Sequence, residues 1–150
     1  MPEHAGGSIE QEIRERVAAS PFHSSMGISV EAVREGAVDL RLHAGPEHAN
    51  LHGTVHGGVL ATLADTAAGL AVRSATADPG GRHASVNLDI QYLAPATTGT
   101  LRATGRVVKL GRRLAFAEAE ITDEGGTALA RAQVTVALAP SGDAAEQAAQ

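Results

Sequence analysis

The sequence predicts an α+β domain in which an antiparallel sheet curves around one long central helix. Three observations carry this. Segments of alternating apolar and polar residues follow one another with short turn signals between them, and strands joined by hairpins pair antiparallel. One segment, residues 57–74, is apolar on nearly every face and so needs cover nearly all round. Aromatic residues make up only 2% of the chain, so Ala, Val and Leu have to fill the core. A thin core of that kind gains from burial between subunits, which points to an oligomer.

Ser8 followed by Gln11 resembles a capping box, and Ile9, Ile13 and Val17 recur every four residues. This gives a short amphipathic helix over residues 9–19 that ends before Pro21. Residues 22–27 read as a connector. Residues 28–33 and 37–42 flank Arg34-Glu35-Gly36, a hairpin turn, and Val38, Leu40 and Leu42 alternate with Asp39 and Arg41. Residues 44–55 form a polar loop with Gly45-Pro46 and Gly53.

After the long helix, residues 77–82 are a loop. Residues 85–93 put Val86, Leu88, Ile90 and Tyr92 on one face and Ser85, Asn87, Asp89 and Gln91 on the other. Residues 101–110 turn Leu101, Ala103, Gly105 and Val107 inward, and the phase breaks at Val107-Val108, where a bulge fits. Residues 114–122 and 127–138 are joined by Asp123-Glu124-Gly125-Gly126, a hairpin signal. The chain divides into a helical segment (1–21), one main domain (22–139) and a small polar tail (140–150) expected to be disordered. The uncovered side of the long helix must meet something else, most simply a second copy.

Composition excludes several classes of function. The 12 Lys and Arg against 17 Asp and Glu leave a net charge of -5, unlike the basic excess of nucleic-acid binders. The scarcity of aromatics removes base-stacking platforms. The chain contains no cysteine, so disulfides, thiolate nucleophiles and thiolate zinc sites are excluded. It shows neither an apolar run of about 18 residues nor a signal-peptide pattern. A cytoplasmic protein without a membrane role is the expectation.

The chemistry concentrates in the run from Asn50 to Asp65. His56-Gly57-Gly58 stands at the mouth of the long helix, and a helix N-terminus carries unpartnered N–H groups and partial positive charge. A glycine there lets another atom approach, which makes a donor site for a developing oxyanion. Asp65 sits in the apolar body of the same helix, where a carboxylate is costly unless paired or used. Together they suggest acyl-transfer or hydrolytic chemistry. His48, His52 and His56 recur every four residues, but Gly45-Pro46 and Gly53 argue against a helix there, so no metal site is expected.

Asn50, His56-Gly57-Gly58, Asp65, the strand Ser85-Val-Asn-Leu-Asp-Ile-Gln-Tyr-Leu-Ala-Pro95, Gly99 and residues 107–111 together resemble a hotdog-fold acyl-CoA thioesterase of the phenylacetate-pathway and 4-hydroxybenzoyl-CoA type. The resemblance covers residues 22–138 and implies a hotdog fold for the main domain. It implies homodimers, usually paired into homotetramers, with acyl sites between subunits. It also implies hydrolysis of acyl-CoA without metal or bound cofactor, coenzyme A entering as part of the substrate.

On that resemblance Asp65 activates water as general base or attacks the thioester directly, and the Gly57 N–H polarises the carbonyl. Asn50 donates to the same oxygen, orients the water, or makes a local Asx turn. His56 holds the carbonyl or shapes the start of the helix. Ser85 matches the family position that contacts the nucleophile or water. Lys109, Gly111, Arg112 and Arg113 meet the phosphates of CoA or form a solvated turn. Gly58, Arg82 and His83 join them on the substrate side.

Gly57 and Asp65 are eight residues apart, which is about 12 Å along a helix at ~1.5 Å per residue. That span separates an oxyanion donor from its base. The expected sites are therefore composite, with Gly57 and Asn50 from one subunit and Asp65 and Ser85 from the other. Two other readings fit the same fold: a non-catalytic acyl-CoA binding or sensing module, and a hydratase or dehydratase acting on an acyl thioester.

Overall fold

The computed structural model describes residues 8–78 and 81–141. Helix α1 (Ile9–Ala19) begins where Ser8 Oγ accepts the Gln11 N–H at 3.2 Å. The Gln11 side chain bonds Glu15 instead of reaching back to Ser8, so the cap is one-sided. The expected connector folds instead as a short helix, α2 (Pro21–Met26). Ser20 caps it, Pro21 opens it and Gly27 closes it at φ 77°, a left-handed conformation that glycine adopts without strain.

Strands β1 (Ile28–Arg34) and β2 (Ala37–Ala44) form the first hairpin. A 3-10 turn at Pro46–His48 and a loop lead to α3 (Gly57–Ala75). Four strands follow: β3 (Arg82–Tyr92), β4 (Gly99–Leu110), β5 (Leu114–Thr122) and β6 (Ala128–Ala139). All pairs are antiparallel, and the strand order is β1-β2-β4-β5-β6-β3. The chain thus leaves β2, passes through α3 and re-enters at the far edge of the sheet. The antiparallel sheet wrapped on one long helix is the architecture the sequence predicts. The expected disorder after Pro140 and the first residues of the 1–21 segment fall outside the described residues, apart from Ser141.

The core lies between α3 and the inner face of the sheet. Val38, Leu40 and Leu42 of β2, Leu101 and Ala103 of β4 and Ile121 of β5 meet Leu63, Ala64 and Ala67 of α3, all buried. Small residues set the spacing. A Cβ at Gly105 would overlap the Ala67 carbonyl, so the helix backbone rests directly on the sheet at that glycine. The bulge expected near Val107-Val108 is present, with the register shifting between Val107 and Lys109.

Two surfaces of the single chain stay uncovered. Helix α3 keeps a half-exposed stripe of Ala61, Thr62, Asp65 and Gly69. Strand β3, at the sheet edge, leaves Val86 60% and Tyr92 54% exposed. A single chain therefore does not cover its own helix. The N-terminal segment is fastened separately: Arg73, 4% exposed, bonds both carboxylate oxygens of Glu12, the closer at 2.7 Å, and the Thr76 carbonyl.

Candidate active site

The loop before α3 is fixed by His48, which is 3% exposed. Its Nδ1 accepts the Gly45 N–H at 3.0 Å, which leaves the proton on Nε2 for the Met26 carbonyl at 2.7 Å. The His48 carbonyl in turn accepts the His56 N–H. This buried imidazole ties α2 to the start of α3. In the sequence it stands out only as a candidate metal ligand.

His56 is the N-cap of α3: its Nδ1 accepts the Gly58 N–H at 2.8 Å. Its carbonyl accepts from Val59 at 2.9 Å and from Leu60 at 3.5 Å. Of the first-turn donors, only the Gly57 N–H has no acceptor among the described residues. It belongs to the peptide whose carbonyl is engaged by those two donors, and such chaining strengthens a donor. The helix N-terminus thus offers one free N–H, at a glycine, in a positive field. Gly58 is spent on the cap.

Asn50 shapes the loop. Its Oδ1 accepts the N–H groups of His52 (2.8 Å) and Thr54 (3.1 Å), and its Nδ2 donates to Thr54 Oγ1 at 2.8 Å. One amide proton is left beyond these bonds. Gly57 lines a cavity of about 320 Å3 together with Val55, Leu60, Tyr92, Leu93 and Ala94.

Asp65 lies two turns further along α3, in a different groove of about 400 Å3 with Ala61, Thr62, Ser85 and Leu88. Ser85 Oγ donates to Asp65 Oδ1 at 2.6 Å. Strand β3 breaks its apparent alternation at this point. Ser85 pairs with Val136 and Asn87 with Thr135, so Val86 is an extra residue, a β-bulge. Leu88 and Ile90 oppose the buried Val134 and Ala132 and face the helix, and Ser85, opposite the buried Val136, shares that face. Ser85 therefore does not side with Asn87, Asp89 and Gln91. The bulge turns it toward Asp65.

The basic group lies at one end of the sheet. Lys109, Arg112 and Arg113 are exposed on the β4–β5 hairpin, where the Gly111 N–H bonds the Leu114 carbonyl and a Cβ on Gly111 would crowd that oxygen. Arg113 and Leu114 lie beside Ala137 and Leu138, and Arg82 pairs with Ala139, so Arg82 joins the same end. Arg14, Arg16, Arg34, Arg73, Arg102, Arg106 and Arg131 all pair with carboxylates. Arg82, Lys109, Arg112 and Arg113 have none at ion-pair distance among the described residues, and neither does Arg41 on β2.

His83 turns inward instead, half-buried opposite Leu138. Burial, then the charges of Arg73 and Arg16, hold its pKa below the usual histidine range. Its neighbours are those of the α1 anchor, away from the solvent side of Arg82. Among the described residues no group of three or more His, Cys, Asp or Glu is arranged to hold a metal ion.

A family model of the Thioesterase superfamily matches residues 52–130, which span the His56-Gly57-Gly58 run, Asp65 and Ser85. A putative esterase of Halobacterium salinarum is 41% identical over 112 residues, covering 70% of this chain and 72% of that protein. Human acyl-coenzyme A thioesterase 13 is 31% identical over 119 residues, 78% of this chain and 84% of its own length. Among solved structures, the E. coli PaaI protein from the phenylacetic acid degradation operon superposes with a TM-score of 0.79 at 25% identity, covering 86% of this chain and 91% of that one. With its sheet wrapped on α3, its free Gly57 donor and its Ser85-bonded Asp65, this chain belongs to the Thioesterase superfamily, as a hotdog-fold thioester hydrolase.

Proposed function

We propose that the chain hydrolyses acyl-CoA thioesters to the free acid and CoA, in sites shared between two copies. The observation that carries this is the division of the chemistry. Gly57, with its free N–H, and the Ser85–Asp65 pair line separate grooves of one chain, about 12 Å apart along α3 at ~1.5 Å per residue. A carbonyl held at hydrogen-bond distance from one is out of reach of the other. A second copy packed antiparallel along the exposed stripe of α3 brings its own Asp65 to the Gly57 groove. The unpaired edge of β3, with Val86 and Tyr92 exposed, favours the same partner. Homodimers follow from this reading, and the family resemblance implies that they pair further into homotetramers.

The Gly57 N–H donates to the thioester oxygen and stabilises the negative charge that develops there. Asn50 holds the loop in front of it, with His56 as cap. Ser85 occupies Asp65 Oδ1 and leaves Oδ2 for the reaction. As general base, Asp65 takes a proton from water while the water oxygen bonds the acyl carbon. The C–S bond then breaks and the sulfur leaves with that proton. As nucleophile, Asp65 itself bonds the acyl carbon, the C–S bond breaks and CoA leaves as a thiolate that takes a proton from water; water then hydrolyses the resulting anhydride and frees the Asp65 carboxylate. The cations Arg82, Lys109, Arg112 and Arg113 suit the phosphates of CoA. No metal or resident cofactor is needed in either route.

No helix among the described residues is long and apolar enough to cross a membrane, and we propose a cytoplasmic enzyme. The test is a thiol-release assay with hexanoyl-, dodecanoyl-, hexadecanoyl-, phenylacetyl- and 4-hydroxybenzoyl-CoA, run on wild type and Asp65→Asn together. The expected outcome is turnover of at least one thioester, with kcat reduced by about a hundredfold or more and KM little changed in the variant. Undiminished turnover in Asp65→Asn removes Asp65 from the chemistry. Saturable binding without turnover identifies an acyl-CoA sensor.

A further inference from the structure

Tyr92 stands 35 residues from Gly57, at the end of the edge strand, yet its hydroxyl donates to the Gly57 carbonyl at 2.9 Å. Its ring lies over the same residue: a Cβ on Gly57 would come 3.1 Å from Tyr92 Cζ and 3.2 Å from the hydroxyl oxygen. The Gly57–Gly58 peptide is therefore held at both ends, its carbonyl by Tyr92 and its N–H by His56 Nδ1 at 2.8 Å.

This matters because of what lies there. Two successive glycines at a helix start have the widest backbone freedom of any dipeptide. The first turn of a helix has few bonds of its own to hold it. An oxyanion donor works only if it is aimed beforehand, since stabilisation that requires reorganisation during the reaction is lost. The free N–H of Gly57 is one bond from the Gly57–Gly58 peptide plane, which His56 Nδ1 fixes at its N–H and Tyr92 fixes at its carbonyl from outside the helix. Tyr92 is 54% exposed, so its burial does not explain why the ring is laid on the helix.

We infer that Tyr92 is a positioning residue that aims the Gly57 N–H. It acts through the backbone and touches no reacting atom. The inference rests on the oxyanion role proposed for Gly57. It also gives Gly57 a second requirement: any side chain there displaces the ring that holds it.

The test compares Tyr92→Phe, which keeps the ring and drops the hydroxyl, with Tyr92→Leu, which drops both. Tyr92→Phe is expected to keep the wild-type Tm and KM and to lose roughly fivefold to tenfold in kcat, the equivalent of one hydrogen bond. Tyr92→Leu is expected to lose Tm as well, and restoring the ring in Tyr92→Phe should recover Tm without recovering kcat. A merely structural tyrosine would move both together.

The second readout is the Gly57 amide resonance in glycine-labelled protein. It is titrated with the ketone analogue of the acyl-CoA turned over fastest in the panel, methylene replacing sulfur. A wild-type amide that shifts on binding, and shifts less in Tyr92→Phe, supports the inference. Unchanged kcat in Tyr92→Phe, with the wild-type shift intact, overturns it and leaves the Gly57 role standing. No shift in wild type overturns the Gly57 role, and this inference with it.

Discussion

Replacing Ser85 with alanine removes a hydroxyl that donates to Asp65 Oδ1 at 2.6 Å. A hydrogen bond to a charged group contributes about 1.5–3 kcal/mol. In the single chain this groove is open to water, so the lower end applies there, and about 1.4 kcal/mol is tenfold in rate. Ser85→Ala is therefore expected to lower kcat by about tenfold if the groove stays wet, rising toward about a hundredfold if the second copy seals it. KM should change little, because the bond orients Asp65 and not the substrate. Ser85→Thr keeps a hydroxyl on the same backbone position and should retain most of the activity. The assay is thiol release under saturating acyl-CoA, with Tm measured in parallel. A loss of less than about twofold in kcat for Ser85→Ala would refute the reasoning. Such a result would mean that the bulge at Val86 turns Ser85 inward for packing alone.

Three further outcomes are expected. Mixing inactive Asp65→Ala with inactive Gly57→Pro subunits should restore about a quarter of wild-type activity after exchange, since about half of random dimers then carry one intact composite site; no recovery after confirmed exchange rules the shared site out. Glu12→Ala strands the buried Arg73 cation; a fully buried broken pair costs about 3–5 kcal/mol, and because Glu12 is partly exposed we expect about 2–3, read as a Tm lower by roughly 5–10 °C. A Tm change within about 2 °C would deny that Arg73 anchors α1. His83 has its folded pKa below the ordinary 6.5, so the folded chain binds fewer protons than the unfolded one near that pH. Its contribution to stability is then complete above pH 6.5 and is lost as pH falls through the folded pKa; the wild-type Tm should fall more than that of His83→Gln between about pH 7.5 and about pH 5.5, and equal slopes would contradict this.

The parts of the fold that were legible in sequence are those where apolar residues mark the phase. The bulge after Val107 is readable because two valines stand side by side where alternation calls for one. The bulge at Val86 is not. Ser85 and Asn87 are both polar, so the period-two pattern reads as unbroken, and the reading leaves Ser85 on the outer face. Helix α2 is too short to show a period, although Ser20, Pro21 and Gly27 stand where a cap, a first turn and a left-handed stop belong.

The candidate site divides in the same way. Gly57, Asp65 and Ser85 could be picked out from residue type and motif. What Asn50 and His56 bond could not, since either residue serves a loop or a ligand equally well. The Tyr92 contact with Gly57 arises only when the far edge of the sheet meets the start of α3, and no local pattern announces it.

The seat of α3 on Gly105 has one more consequence. With alanines facing the helix and its backbone against the sheet, the space between the layers is filled, and the grooves at Gly57 and Asp65 both open outward. Val55 and Leu60 serve both the core and the Gly57 groove, but Leu93 and Thr62 line the grooves without belonging to the core. A lineage built on this chain is free to trade one acyl group for another by altering rim positions such as Leu93 or Thr62, while the layer that sustains the native state stays untouched. Selectivity drifts cheaply in such a scaffold, whereas the helix-to-sheet spacing is all but frozen.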